Sequence, residues 1–174
     1  MDSATFPAVS KNLVQISEFV RAYAQKLPFT PKQIYEIDLA VDEASSNIID
    51  HAYKNLPQGK IRIFLNHTES EMKIILQDDG VGFDLDSVPK PDLDGPLEDR
   101  RERGLGIFLI HQLMDQVIYQ PNTGKGNQLT LIKNFPFVLG RVTAELGRCS
   151  SRIENPLETM YTYATVLLFL NLAA

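Results

Sequence analysis

Three short segments of the chain put reactive side chains or bare backbone at spacings that can converge on one ligand. In Asp42-Glu43-Ala44-Ser45-Ser46-Asn47 a carboxylate and an amide stand four residues apart. On a helix that spacing is one turn on one side, so Glu43 and Asn47 can aim at a single small volume. A carboxylate there can take a proton from a hydroxyl, and an amide oxygen suits a hard cation. In Asp78-Asp79-Gly80-Val81-Gly82-Phe83 an acid is followed by two glycines two apart. Glycine lets the backbone approach a ligand closely, and an aspartate at a strand end can accept from an exocyclic amine. Gly104-Leu105-Gly106 opens an apolar run, and the unpaired N–H groups at a helix start form a natural phosphate site. Neither Gly-x-x-x-x-Gly-Lys-Ser/Thr nor a Gly-x-Gly-x-x-Gly after a strand occurs, which excludes two common nucleotide loops. Alone, each segment also reads as a helix flank, a turn or a helix start. Their order makes them one candidate site.

Periodicity supplies the elements that must position these residues. Leu13, Ile16, Val20, Tyr23 and Leu27 recur every three or four residues, which predicts an amphipathic helix over 10–27. A second helix starts at Thr30 as N-cap, with Pro31 at the first helical position and Gln33 completing a capping box. Its stripe is Ile34, Ile37, Val41, Ala44, Ile48 and Ala52, and it should stop around 55–59, where Pro57 and Gly59 intervene. Taking about 100° per residue, Glu43 and Asn47 lie on a flank roughly 90–110° from the centre of that stripe.

The period then changes to two. Ile61, Ile63 and Leu65, followed by Met72, Ile74 and Leu76, predict an antiparallel hairpin. Residues 84–103 hold three prolines, one glycine and eleven charges, and read as a long mobile loop of functional type. A helix over 104–114 and strands over 116–120 and 128–134 follow, with a further short strand expected near 5–9. Strands arriving as hairpins imply an α+β two-layer sandwich, a mainly antiparallel mixed sheet with helices on one face.

Composition narrows the function classes. The 174 residues suit one domain with an appendage, and 44% apolar against 22% charged residues excludes wholesale disorder. A net charge of -5 without a basic run argues against nucleic-acid binding through a broad basic face. The single Cys149 cannot form an internal disulfide, and clustered zinc ligands are absent from the sequence. The start lacks a signal-peptide layout, and the apolar stretch 161–174 is shorter than the roughly 20 residues a bilayer requires. A soluble protein of the reducing cytoplasm, without membrane attachment, is expected.

Glu-x-x-x-Asn in a helix, Asp-x-Gly-x-Gly after a strand, a variable loop, Gly-x-Gly opening a helix and a glycine-containing final hairpin resemble the Bergerat ATP-binding signature. Type II topoisomerases, Hsp90, sensor histidine kinases and mismatch-repair ATPases share it. DEASSNIIDHAY and RGLGIFLIHQLMDQV most resemble the anti-sigma-factor serine/threonine kinases of bacterial partner-switching systems. The resemblance covers roughly residues 5–135, so 1–136 is read as the ATP-binding domain and 137–174 as an extension of unknown role.

The resemblance implies ATP and Mg²⁺ as cofactors and a role for each residue. Asn47 would ligate Mg²⁺, and Asp78 would accept from the adenine amine with Gly80 and Gly82 giving the base room. Gly104, Leu105 and Gly106 would meet the phosphates, joined by Arg101 and Arg103 and also Arg100. Glu43 would be the catalytic base. Asn127 stands where the family often has threonine, so an amide would replace a hydroxyl near the base. The implied substrate is a small anti-anti-sigma protein, with a sigma factor as second partner. The alternative function is a non-catalytic, ATP-dependent module that sequesters a partner. For the tail, whose stretch 161–174 has eleven apolar residues in fourteen, a self-packed helix, a homodimer contact and a partner-binding segment all stay open.

Overall fold

The structure is a computed structural model that describes residues 1–53, 59–82, 105–124 and 126–136. Strand β1 (Asp2–Pro7) leads through a 3₁₀ turn (Ser10–Asn12) into α1 (Leu13–Ala24) and then α2 (Pro31–Asn47). Strands β2 (Lys60–His67) and β3 (Glu71–Asp78) follow, then α3 (Leu105–Leu113), β4 (Gln116–Gln120) and β5 (Asn127–Asn134). The sheet order is β1-β2-β3-β5-β4. Every pairing among the described residues is antiparallel, so the mixed character expected of the sheet is not seen there.

Alternation sets the two sheet faces. Ile61, Ile63 and Leu65 of β2 register against Asp78, Leu76 and Ile74 of β3, and all six are buried. The five apolar ones pack in one core with Ile16 and Val20 of α1, Ile37, Val41 and Ala44 of α2, and Ile110 of α3. Helix α2 touches both α1 and α3. Its start forms as expected: Thr30 Oγ1 accepts from the Gln33 amide at 3.2 Å, and Gln33 Oε1 accepts from the Thr30 amide at 3.1 Å. Lys133, on the inward face of β5, braces the helix layer. Its ammonium reaches Glu36 of α2 at 2.8 Å and donates to the Leu113 carbonyl at the end of α3 at 2.6 Å.

Two boundaries differ from expectation. The first strand is Asp2–Pro7 rather than 5–9, because Ala8 and Val9 leave the ladder: the Ala8 amide donates to the Gly59 carbonyl and the Val9 amide to the Pro7 carbonyl. Regular α-helix in α2 ends at Asn47, and Ile48–Ala52 continue as a π-helical turn. The apolar stripe cannot foretell this widening, since Ile48 and Ala52 are buried in either geometry. π-turns inside α-helices are rare and often mark functional sites.

Candidate functional site

The β3 alternation that buries Ile74 and Leu76 continues to Asp78 and so brings a carboxylate inward, only 3% exposed. Its Oδ1 accepts from the Gly80 amide at 2.8 Å and from Asn127 Nδ2 at 3.0 Å. Asn127, the register partner of Asp78 across β3 and β5, also donates to the Gly80 carbonyl at 3.0 Å. Both Asn127 amide hydrogens are thus spent on fixing the acid and the turn after it. Both of these bonds fall on Oδ1, one of the two oxygens of the carboxylate. Burial pushes the Asp78 carboxyl above its ordinary value, while the Asn127 and Gly80 bonds pull the other way.

The glycines here are required by close approach. A Cβ on Gly80 would stand 2.5 Å from the Ala52 carbonyl oxygen, and one on Gly82 would stand 2.9 Å from Asn127 Oδ1. The Val81 amide donates to that same Ala52 carbonyl at 2.9 Å, which joins the end of the π-turn to the loop after β3. Asp79 turns outward instead. Arg62 of β2 grips it with two bonds of 2.8 and 2.7 Å and holds its carboxyl below the ordinary value.

The second half of the site lies where α2 meets the start of α3. Glu43 and Asn47 both face Gly106: a Cβ there would stand 2.6 Å from Glu43 Oε2 and 3.5 Å from Asn47 Nδ2. A bare backbone in the first turn of α3 therefore lies directly against a carboxylate and an amide. Asn47 Nδ2 is buried without a hydrogen-bond partner among the described residues. No described residue bonds that nitrogen, so the amide could turn its oxygen to a cation or offer its nitrogen to a phosphate oxygen. Among the described residues no group of three or more His, Cys, Asp or Glu side chains could hold a metal. A divalent cation would share its shell between Asn47, phosphate oxygens and water, as Mg²⁺ ordinarily does.

An acid buried at a strand end and a helix start facing a carboxylate–amide pair are features that a nucleotide site would use. Comparison with known proteins agrees with that reading, since the model of the histidine kinase-like ATPase domain family matches residues 6–133. The chain belongs to this family. It is 36% identical over 124 residues to the serine-protein kinase RsbW of Halalkalibacterium halodurans, covering 69% of this chain and 75% of that relative. It is 32% identical over 115 residues to the RsbW of Bacillus thuringiensis, covering 64% of this chain and 71% of the relative. The solved RsbU and RsbW domains of Rv1364c from Mycobacterium tuberculosis match at a TM-score of 0.51 and 14% identity, over 79% of this chain and 35% of that one. That last likeness concerns the fold alone. The anti-sigma kinase resemblance is borne out, and the chain carries an ATP-binding domain of the histidine kinase-like type.

Of the residues singled out in the sequence, the structure brings Glu43, Asn47 and Gly106 together at one point, and Asp78, Gly80, Gly82 and Asn127 at another. Arg100, Arg101, Arg103, Gly104 and the expected loop 84–103 lie outside the described residues, as does the tail 137–174. Leu105 begins α3, with its side chain outside the description. His51 and His111 are exposed, and His67 Nδ1 shares a hydrogen bond with the Tyr23 hydroxyl at 2.8 Å. The sequence reading missed Ala52 and Tyr53, which act on the Asp78 loop through a backbone carbonyl and a phenol. Neither type nor spacing marks such contacts. No helix among the described residues is long and apolar enough to cross a membrane.

Proposed function

We propose that the protein is an ATP-dependent protein serine/threonine kinase and anti-sigma regulatory factor, with a small anti-anti-sigma-type protein as substrate. The observation that carries this reading is the Glu43 carboxylate held against the first turn of α3, one helical turn from the Asn47 amide, whose nitrogen has no partner among the described residues. ATP, when bound, supplies the phosphoryl group. Asp78 accepts from the adenine amine through one oxygen, and Asn127 keeps the other oxygen occupied. The α3 start, with Gly104, Leu105 and Gly106, offers N–H groups to the phosphates, and Arg101 and Arg103 add positive charge. Asn47 gives its amide oxygen to Mg²⁺. Glu43 orients the acceptor hydroxyl and takes its proton.

Phosphorylation adds about -1.5 to -2 charge to the acceptor, enough to break a docked interface by repulsion and desolvation. The kinase would then be free to hold a sigma factor. Residues 1–136 form the ATP-binding domain in this reading, 137–174 an extension, and the protein works in the cytoplasm. The RsbW relatives support the kinase over the binding-only module, because a module that merely sequesters a partner has no use for the Glu43 carboxylate.

Incubation with labelled ATP, Mg²⁺ and candidate small acceptor proteins from the same genome tests the reading directly. Label should appear on Ser or Thr of one acceptor. Asn47→Ala should lose Mg²⁺-dependent affinity and transfer together. Tight ATP binding with no transfer to any acceptor would leave the binding module as the better account.

A further inference from the structure

Ala52 is the last residue of the π-turn that continues α2, and Tyr53 follows it. In a helix each residue turns the chain by about 100°, so one extra residue in a turn re-aims everything after it. Here the re-aimed pair meets the loop after β3 at two successive points. The Ala52 carbonyl takes the Val81 amide at 2.9 Å, and the Tyr53 hydroxyl accepts from the Asp79 amide at 2.7 Å. The same hydroxyl donates to the Lys60 carbonyl at the start of β2 at 2.9 Å. Its ring lies flat on bare backbone, since a Cβ on Gly59 would stand 2.4 Å from Tyr53 Cγ. Tyr53 is 8% exposed, and both bonds of its hydroxyl are partly buried.

The bond to Asp79 falls on the peptide unit that begins at Asp78. The carbonyl end of that unit is pressed from the other side by Gly126, where an added Cβ would stand 2.1 Å from the Asp78 oxygen. Gly126 itself has a φ of 91°, in the left-handed region that glycine tolerates. Asn127 and Gly80 fix the Asp78 side chain, whereas Tyr53 and Gly126 fix the peptide from which that side chain projects.

We propose that Tyr53 is a positioning residue for base recognition: its hydroxyl locks the Asp78–Asp79 peptide so that one Asp78 oxygen stays bonded within the protein while the other meets the adenine amine. The proposal rests on the reading of Asp78 as the adenine acceptor. Without the hydroxyl, the partly buried Asp79 N–H and Lys60 carbonyl would lose this partner. The simplest relief is rotation of the 78–79 peptide, which re-aims the carboxylate. The phosphate half of the site stands on other elements, at Glu43, Asn47 and Gly106, and would be unaffected.

The test measures affinity for ATP and for purine riboside triphosphate, which lacks the 6-amino group, in wild type and in Tyr53→Phe. A carboxylate–amine bond predicts that wild type prefers ATP by roughly tenfold or more. Tyr53→Phe, which keeps the ring on Gly59, should reduce that preference to about threefold or less while binding the analogue as wild type does, because only the base contact is disturbed. Equal weakening toward both nucleotides, or an unchanged preference, would mean that Tyr53 is merely structural and would overturn the proposal. A wild type that does not distinguish the two nucleotides would instead overturn the adenine role of Asp78.

Should Tyr53→Phe fail to fold, hydrogen exchange in wild type decides the matter. Linkage is reciprocal, so ATP must slow exchange of the Asp79 amide more than the analogue does at equal occupancy. Equal protection by both would sink the positioning role.

Discussion

The two halves of the proposed nucleotide site are built in opposite ways. Around Asp78 nearly every polar group is engaged: Asn127, the Gly80 amide, the Tyr53 hydroxyl and the Ala52 carbonyl close on one short loop. Beside Glu43, Asn47 Nδ2 is buried without a partner among the described residues. In the proposed reading the base half is therefore pre-organised by the protein's own bonds before any ligand arrives. In the same reading the phosphate half is left open for the charges of a ligand. Its amide, unpaired among the described residues, would be satisfied by ligand. Recognition of the base and chemistry on the phosphate should thus separate under mutation.

The largest effect is expected on the open half. Glu43→Ala should lower phosphotransfer by about 10²–10⁴ while leaving ATP affinity within about threefold of wild type, since the carboxylate acts on the acceptor hydroxyl. Single-turnover transfer together with a calorimetric ATP titration separates the two quantities. Transfer at the wild-type rate would break the comparison outright.

Asp78→Asn should show the reverse pattern. Loss of a charged acceptor costs about 1.5–3 kcal/mol, so ATP should bind roughly tenfold weaker or more. Stability should not suffer alongside. Burial raises the Asp78 carboxyl in the fold, so its contribution to stability is fully present only below the unfolded value and is lost as pH rises through the folded one. At neutral pH an asparagine avoids that penalty and can still accept from Gly80 and Asn127. Thermal unfolding of Asp78→Asn at pH 7 should match or exceed wild type; a large fall would show that the ionised form stabilises the loop.

A subtler consequence concerns acid. ATP affinity of wild type should begin to fall at a higher pH than an ordinary aspartate would impose, because protonation removes the acceptor and burial brings protonation on early. Titrations at stepped pH should show this fall in wild type and lack it in Asp78→Asn. The same fall in both proteins would assign it to another group.

The smallest effect belongs to the neighbouring acid. Asp79 is more than half exposed in its pair with Arg62, so Asp79→Asn should cost under about 1 kcal/mol. The pair holds the Asp79 carboxyl low, so its contribution is present above the unfolded value and disappears as pH falls through the folded one. Denaturant unfolding at neutral and acid pH should show a small difference between variant and wild type that vanishes in acid. ATP affinity should stay put, since Asp79 points away from the site.

Local pattern by itself determined much of this protein. The capping box at Thr30, the three-and-four spacing through Ile37, Val41 and Ala44, and the strict alternation through Ile61–Leu65 and Met72–Leu76 are all short-range signals, and each element formed where its signal stood. Those periods also placed Glu43 and Asn47 on one flank and carried Asp78 to the inward face. Tertiary structure alone decided what meets what. The strand order puts β5 beside β3, so Asn127 lands on Asp78 from 49 residues away. The π-turn aims Ala52 and Tyr53 at the loop after β3, although the apolar stripe reads the same with or without it. Periodicity reports which side of an element is buried; it carries no information about which backbone amide a phenol will find across the fold. That pairing depends on the packing of α2 against the sheet, a property of the whole domain.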